Sequence, residues 1–125
     1  VELEARLSDE PLPVRGYPDR LRKVFLNVAV NALEAMPRGG RLTLEARRDG
    51  RRARVALSDS GPGIPPEAMP RLYDPDFSTK DGGSGIGLHV ARALVELHGG
   101  EIRVESALGR GTDVRVFVPL ALGGA

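Results

Sequence analysis

Asn27 and Asn31 are the only asparagines in the chain, and they stand four residues apart. With Lys23 they fall at i, i+4 and i+8, so on a helix the three share one polar stripe. An asparagine carboxamide offers a neutral oxygen to a hard cation such as Mg²⁺, which takes few protein ligands and keeps phosphate and water oxygens for the rest. The same spacing also suits two solvent-facing amides. A second candidate is Asp59, in the run Asp59-Ser60-Gly61-Pro62-Gly63 that follows a hydrophobic stretch. A carboxylate there can accept a hydrogen bond from the exocyclic amine of a base, and glycines let the backbone approach a flat ring. An aspartate after a strand can equally cap a turn. The third candidate is Lys80, followed by the glycine-rich Gly82 to Gly87 and then Leu88. Glycines entering a helix N-terminus leave free N–H groups that favour an anion such as phosphate. The lysine precedes the glycines, so this is not a Walker A loop. Gly83, Gly85 and Gly87 are spaced G-x-G-x-G, which is not the dinucleotide fingerprint.

These residues need elements to hold them. Residues 18–36 read as one helix, with Leu21, Val24, Phe25, Val28, Ala32 and Ala35 at helical spacing toward a core. Pro18 suits its first turn, and Pro37, Gly39 and Gly40 end it. Residues 41–48 and 51–58 alternate apolar and polar and are joined at Asp49-Gly50, a dipeptide suited to a two-residue hairpin turn with positive φ at both positions. Leu42, Leu44 and Ala46 are expected to face the same side as Ala53, Val55 and Leu57. Residues 1–7 alternate as an edge strand does. Residues 65–72 suit a short helix, and residues 73–85 have no period; a segment of that kind inside a compact domain is functional or disordered. A second helix is expected over 86–98, closed by Gly99 and Gly100. Strands over 101–106 and 112–120 follow, with a turn at Gly109-Arg110-Gly111. The expected fold class is α+β, a two-layer sandwich with a mixed sheet covered on one face by helices.

Composition limits the chemistry further. The chain has 125 residues, the size of one domain. Hydrophobic residues make up 41% and charged residues 28%, a globular balance. Cysteine is absent, which excludes disulfides, thiol nucleophiles and zinc or iron–sulfur cysteine sites. The two histidines, His89 and His98, are not spaced as a metal pair. A net charge of +1 gives no general argument for nucleic acid, and the arginine-rich hairpin at 47–52 reads as a solvated turn. The run from Val1, without an initiator Met or signal pattern, reads as one domain, 1–125, cut from a longer protein.

The order of the motifs is more specific than any of them. An Asn-bearing helix precedes a strand ending in Asp-x-Gly-x-Gly, then a loop with Phe77 and Lys80, then G-x-G-x-G on a helix. This resembles the catalytic and ATP-binding domain of sensor histidine kinases, in the superfamily that also holds DNA gyrase, the mismatch-repair ATPases and a heat-shock chaperone. Residues 27–36 resemble that family's N box, residues 59–64 its first glycine box, residues 73–80 its F box, and residues 83–87 its second glycine box. Gly109-Arg110-Gly111-Thr112 followed by Phe117 resembles the last one.

The resemblance implies a Bergerat-type ATP-binding fold, with three helices on the mixed sheet, and ATP and Mg²⁺ as cofactors. It implies that Asn31 coordinates the metal with Asn27 beside it, and that Asp59 binds the adenine amine with Gly61, Gly63 and Ile64 around the ring. It implies that Lys80 reaches a terminal phosphate, that Phe77 anchors a lid, and that Gly83, Gly85, Ile86, Gly87 and Leu88 shape the phosphate loop and helix start. Thr112 would support the adenine side. Catalysis would rest on Asn27, Asn31 and Lys80. Hydrolysing members tend to carry Glu where this chain has Asn27, which cannot take a proton at neutral pH. The implied reaction is therefore transfer of the γ-phosphoryl group to a histidine on a separate dimerisation domain, with a response regulator acting downstream. Neither His89 nor His98 has the expected acceptor context. No nucleic acid or membrane contact is implied, and the implied location is cytoplasmic. A degenerate nucleotide-binding module and an anti-sigma-type serine kinase are the rival readings. Tyr73 and Asp76 depart from the family's usual aromatics, and Asp74, Asp76 and Asp81 make the loop around Lys80 acidic.

Overall fold

The computed structural model describes residues 1–74 and 88–121. Its elements run β1 (Glu2–Leu7), α1 (Pro18–Glu34), β2 (Arg41–Asp49), β3 (Arg52–Asp59), a single 3₁₀ turn (Met69–Arg71), α2 (Leu88–Leu97), β4 (Glu101–Ala107) and β5 (Gly111–Pro119). The five strands form one sheet in the order β1-β2-β3-β5-β4. β1 is parallel to β2, and every other pairing is antiparallel. The sheet is therefore mixed, with helices on one face.

Register decides which side chains meet the helices. Leu44 pairs with Leu57 and Ala46 with Val55, so the two alternating runs share a face as expected. Leu57 pairs on with Val114, and Val55 with Val116, carrying that face across β5. Val24, Val28 and Ala32 of α1 and Ala91 and Val95 of α2 are buried against it. Burial of each of these valines stabilises by about 1.5–3 kcal/mol before entropy is counted, and each alanine methyl by less than about 1 kcal/mol.

The other face carries ion pairs. Arg54 reaches Glu45 at 3.3 Å, Arg52 reaches Glu101 at 2.9 Å, and Arg115 reaches Asp113 at 2.8 Å. Phe117 is buried beneath the guanidinium of Arg52, 4.3 Å from its centroid, with Arg103 at 5.2 Å. The arginines at positions 47, 52 and 54 of the basic hairpin thus pair with carboxylates of the sheet.

Three details differ from the sequence reading. α1 ends at Glu34 instead of Met36, because Met36 N–H bonds Leu33 O in a tighter turn and Pro37 disfavours a helical Met36. The hairpin loop is Gly50-Arg51, one residue later than read, since Asp49 pairs with Arg52. Only Gly50 has positive φ there, at 62°, which is the type II′ pattern. The helix expected over 65–72 is a run of i→i−3 turns around Met69–Arg71. Pro70 lacks the N–H that an α-helix would bond to the carbonyl four residues back. Among the described residues two α-helices and this turn stand where three helices were expected.

Candidate active site

The helix-facing side of the sheet is apolar along most of its length and turns polar at one end. Along β3 the row runs Val55, Leu57, then Asp59; along β5 it runs Val116, Val114, then Thr112; along β4 it runs Ile102, Val104, then Ser106. Asp59 pairs with Thr112, and Thr112 with Ser106, so the three polar residues stand abreast across three strands. An open cleft of about 490 Å³ lies along this end of the sheet; Asp59, Ser106 and Thr112 line it together with Ser58, Glu105 and Asp113 of the opposite face, and no residue of α1 reaches it.

Hydrogen bonds set the orientation of each group. The Gly61 N–H donates to Asp59 Oδ1 at 2.9 Å, which turns the chain sharply after β3. The Ile64 N–H donates to Ser106 Oγ at 2.7 Å, and Ser106 Oγ donates to Gly111 O at 2.9 Å. Ser106 has spent its only hydrogen, so Thr112 Oγ1, 2.9 Å away, is the donor in their contact. The lone pairs of Thr112 are left as acceptors beside Asp59. The Gly109 N–H donates to Pro62 O at 2.8 Å, tying the loop after Asp59 to the β4–β5 turn. Gly63 adopts φ 79°, and a Cβ there would run into the Ala107 carbonyl. Its lack of a side chain serves this close approach of two backbones. Ser106 was missed in the sequence. The signal was present as a polar residue ending the alternation Ile102, Val104, Ser106, opposite Thr112.

α1 brings the second set. Lys23 is exposed, Asn27 is buried at 3% exposure, and Asn31 is half-buried. Asn27 Nδ2 has no hydrogen-bond partner among the described residues. A buried amide donor left unpaired costs about 1–3 kcal/mol, so it is suited to an incoming anionic acceptor. Asn27, Asn31 and Ala35 follow one another at i, i+4 and i+8, and a Cβ placed on Gly61 would lie 3.2 Å from Ala35 O. The asparagine row of α1 thus leads to the loop that Asp59 begins. No group of three or more His, Cys, Asp or Glu able to hold a metal occurs among the described residues. The available donors are amide oxygens, which fit Mg²⁺ held mainly by phosphates and water.

Leu88 starts α2 and is buried in the core with Val28, Leu57 and Val114. Ile64 packs partly against the same cluster. Phe77, Lys80, Gly83, Gly85, Ile86 and Gly87 lie outside the described residues, as does Asp76. His89 Nδ1 is buried and has no partner among the described residues. His98 uses both ring nitrogens: Nδ1 contacts Leu94 O at 2.7 Å, and Nε2 accepts the Tyr17 N–H at 3.0 Å. It joins the end of α2 to the start of α1. Tyr73 lies under the Arg92 guanidinium, 4.6 Å from the ring centroid. Burial pushes its phenol pKa up, opposed by Arg92 and assisted by Glu96.

Sequence and structure comparisons place the family and the fold. Residues 16–122 match the family described as histidine kinase-, DNA gyrase B-, and HSP90-like ATPases. Sporulation kinase D of Bacillus subtilis (strain 168) is 38% identical over 122 residues, 97% of this chain and 24% of that kinase's length. The chain therefore spans a small part of that relative. The solved catalytic domain of histidine kinase ThkA superposes with a TM-score of 0.85 at 30% identity, covering 95% of this chain and 78% of that one. Full-length ShkA, solved in complex with AMPPNP, superposes with a TM-score of 0.82 at 33% identity, covering 99% of this chain and 26% of ShkA. No helix among the described residues is long and apolar enough to cross a membrane. The chain belongs to the histidine kinase-, DNA gyrase B- and HSP90-like ATPase family.

Proposed function

We propose that this chain binds Mg-ATP and transfers its γ-phosphoryl group to a histidine on a separate helical dimerisation domain of the same protein. A response regulator would then act downstream, in the cytoplasm. The carrying observation is the alignment of Asp59 and Thr112 with the row Asn27–Asn31–Ala35. From Ala35 to Asn27 is about 12 Å along the helix, comparable to the extent of a nucleoside diphosphate. Adenine at Asp59 would therefore place phosphates near the asparagines. The AMPPNP bound by ShkA supports the nucleotide class.

Each residue has a definable task. Asp59 accepts from the exocyclic amine of adenine, and Thr112 Oγ1 accepts a further hydrogen bond on the same side. Asn27 Nδ2 donates to a phosphate oxygen and so recovers its missing partner. Asn31 would hold Mg²⁺, which supplies charge neutralisation between phosphates when bound. Lys80 would neutralise the terminal phosphate. Asn27 cannot accept a proton at neutral pH, so no described group on this helix row activates water, which favours transfer over hydrolysis.

The test is transfer from γ-labelled ATP with Mg²⁺ to the histidine-bearing domain of the parent protein. The expected product is an acid-labile, base-stable phosphate, the signature of a P–N bond. An acid-stable product would identify a hydroxyl acceptor instead. Tight ATP binding without any transfer would point to a nucleotide-binding module.

A further inference from the structure

β1 is the least covered strand of the sheet. It lies at the edge of the order β1-β2-β3-β5-β4. Among the described elements, α1 packs over β3 and α2 over β4 and β5. The helix-facing side of β1 carries Leu3, Ala5 and Leu7, which sit in register with Leu42, Leu44 and Ala46 of β2. Leu42 is buried, yet Leu3 is 68% exposed and Leu7 66% exposed. The opposite edge strand, β4, differs: its Ile102 and Val104 pack against the core. An exposed edge with apolar side chains is a template for strand pairing, and edges normally carry charges to prevent it. Here the charges on the second face of β1 are Glu2, Glu4 and Arg6.

From this pattern we infer that β1 pairs antiparallel with β1 of a second copy of this chain. A two-fold axis through Ala5 sets Leu3 opposite Leu7 of the second copy and Glu4 opposite Arg6 of the second copy. The same contacts repeat on the other side of the axis, as an isologous interface requires. Shifting the register by two residues sets Glu4 against Glu4 of the second copy, which is repulsive. One register therefore satisfies both faces. Within one copy Arg6 already reaches Glu4, with Nε at 3.0 Å and Nη2 at 2.9 Å from Oε1. The two side chains project from the same face with the reach that cross-strand pairing needs. A six-residue strand buries little area, so the contact is weak between free copies. The helical dimerisation domain of the proposed function would hold two copies together and raise their effective concentration to about the millimolar range.

The test is sedimentation of the chain from about 10 µM to about 1 mM, with the variants Glu4→Arg and Arg6→Glu. Circular dichroism and thermal melts verify that each variant folds. The native chain is expected to self-associate to dimers. Each single variant places like charges opposite one another and is expected to raise the dissociation constant at least about tenfold. Mixing the two variants restores both opposite-charge pairs, so the mixture is expected to form heterodimers. The doubly exchanged chain is expected to self-associate again. A native chain that stays monomeric at the highest concentration overturns the inference and leaves Leu3 and Leu7 to another segment or partner. Association that ignores the single variants, or a mixture that fails to associate, also overturns it.

Discussion

Asp59 of β3 and Thr112 of β5 are antiparallel partners at the point where the helix-facing side of the sheet changes from apolar to polar. Two residues earlier on β3, and two later on β5, the same rows hold Leu57 and Val114, both buried in the core. The core thus supplies a packed floor that ends in this polar row. Because Ser106 donates to Gly111 O, Thr112 must donate to Ser106 and keeps acceptor capacity outward. Thr112→Val removes that acceptor with little change in volume. The expected result is adenine nucleotide affinity weakened by about threefold to tenfold, with thermal stability changed only through the lost Ser106 contact. Titration calorimetry on the two chains checks it.

Ser106 holds the loop after Asp59 in place. Its hydroxyl accepts the Ile64 N–H and contacts both Gly111 O and Thr112 Oγ1. Ser106→Ala leaves the Ile64 N–H without its acceptor. Denaturant unfolding is expected to give a loss of about 1–3 kcal/mol, with nucleotide affinity reduced as the loop loosens. Unchanged stability would mean that water replaces the hydroxyl and that Ser106 does not position the loop.

The proposed phosphate contact of Asn27 predicts opposite effects on stability and on binding. Its Nδ2 is buried without a partner among the described residues. Asn27→Leu removes the unpaired donor and keeps the branched shape, with a larger volume that the site must accommodate. The nucleotide-free protein is expected to gain about 1 kcal/mol, while affinity for ATP falls. A variant that loses stability in the absence of nucleotide would show that the amide is satisfied within the fold.

How much of this was legible in the sequence follows from the physics of each element. Period-two alternation at Leu42, Leu44 and Ala46 and at Ala53, Val55 and Leu57 fixes which face is buried, and the register bears it out. The same alternation marks the site, because Asp59, Thr112 and Ser106 are the polar residues that end otherwise apolar rows. Strand order is different. Nothing local to β5 says that it inserts between β3 and β4, or that β1 runs parallel to β2. Turn chemistry was read one residue early at Gly50, since Asp-Gly fits either position until the pairing of Asp49 with Arg52 decides. The segment 65–72 is helical only as i→i−3 turns around Met69–Arg71, because Pro70 has no N–H to bond the carbonyl four residues back. The uncovered side of β1 was also invisible, since coverage depends on where α1 and α2 settle.

Tyr73 gives a pH signature. Burial raises its phenol pKa above the ordinary 10.0, so the folded state holds the proton to higher pH than the unfolded state does. As pH rises through the unfolded value, the unfolded chain ionises first and stability falls. Tyr73→Phe keeps the ring under Arg92 and removes this dependence. Melting temperatures of the two chains are expected to agree near neutrality and to separate above about pH 10 in favour of the variant. Parallel curves across that range would contradict a raised phenol pKa at this half-buried position.

The most direct measurement is calorimetric titration with ADP and with a non-hydrolysable ATP analogue, with and without Mg²⁺, on the native chain and on Asp59→Asn. The expected result is binding of both nucleotides, strengthened by Mg²⁺ for the triphosphate, and weakened by about tenfold to a hundredfold in Asp59→Asn, because an acceptor carboxylate is replaced by an amide. Absence of heat from a folded native chain, or equal affinity in the variant, would contradict adenine recognition at Asp59.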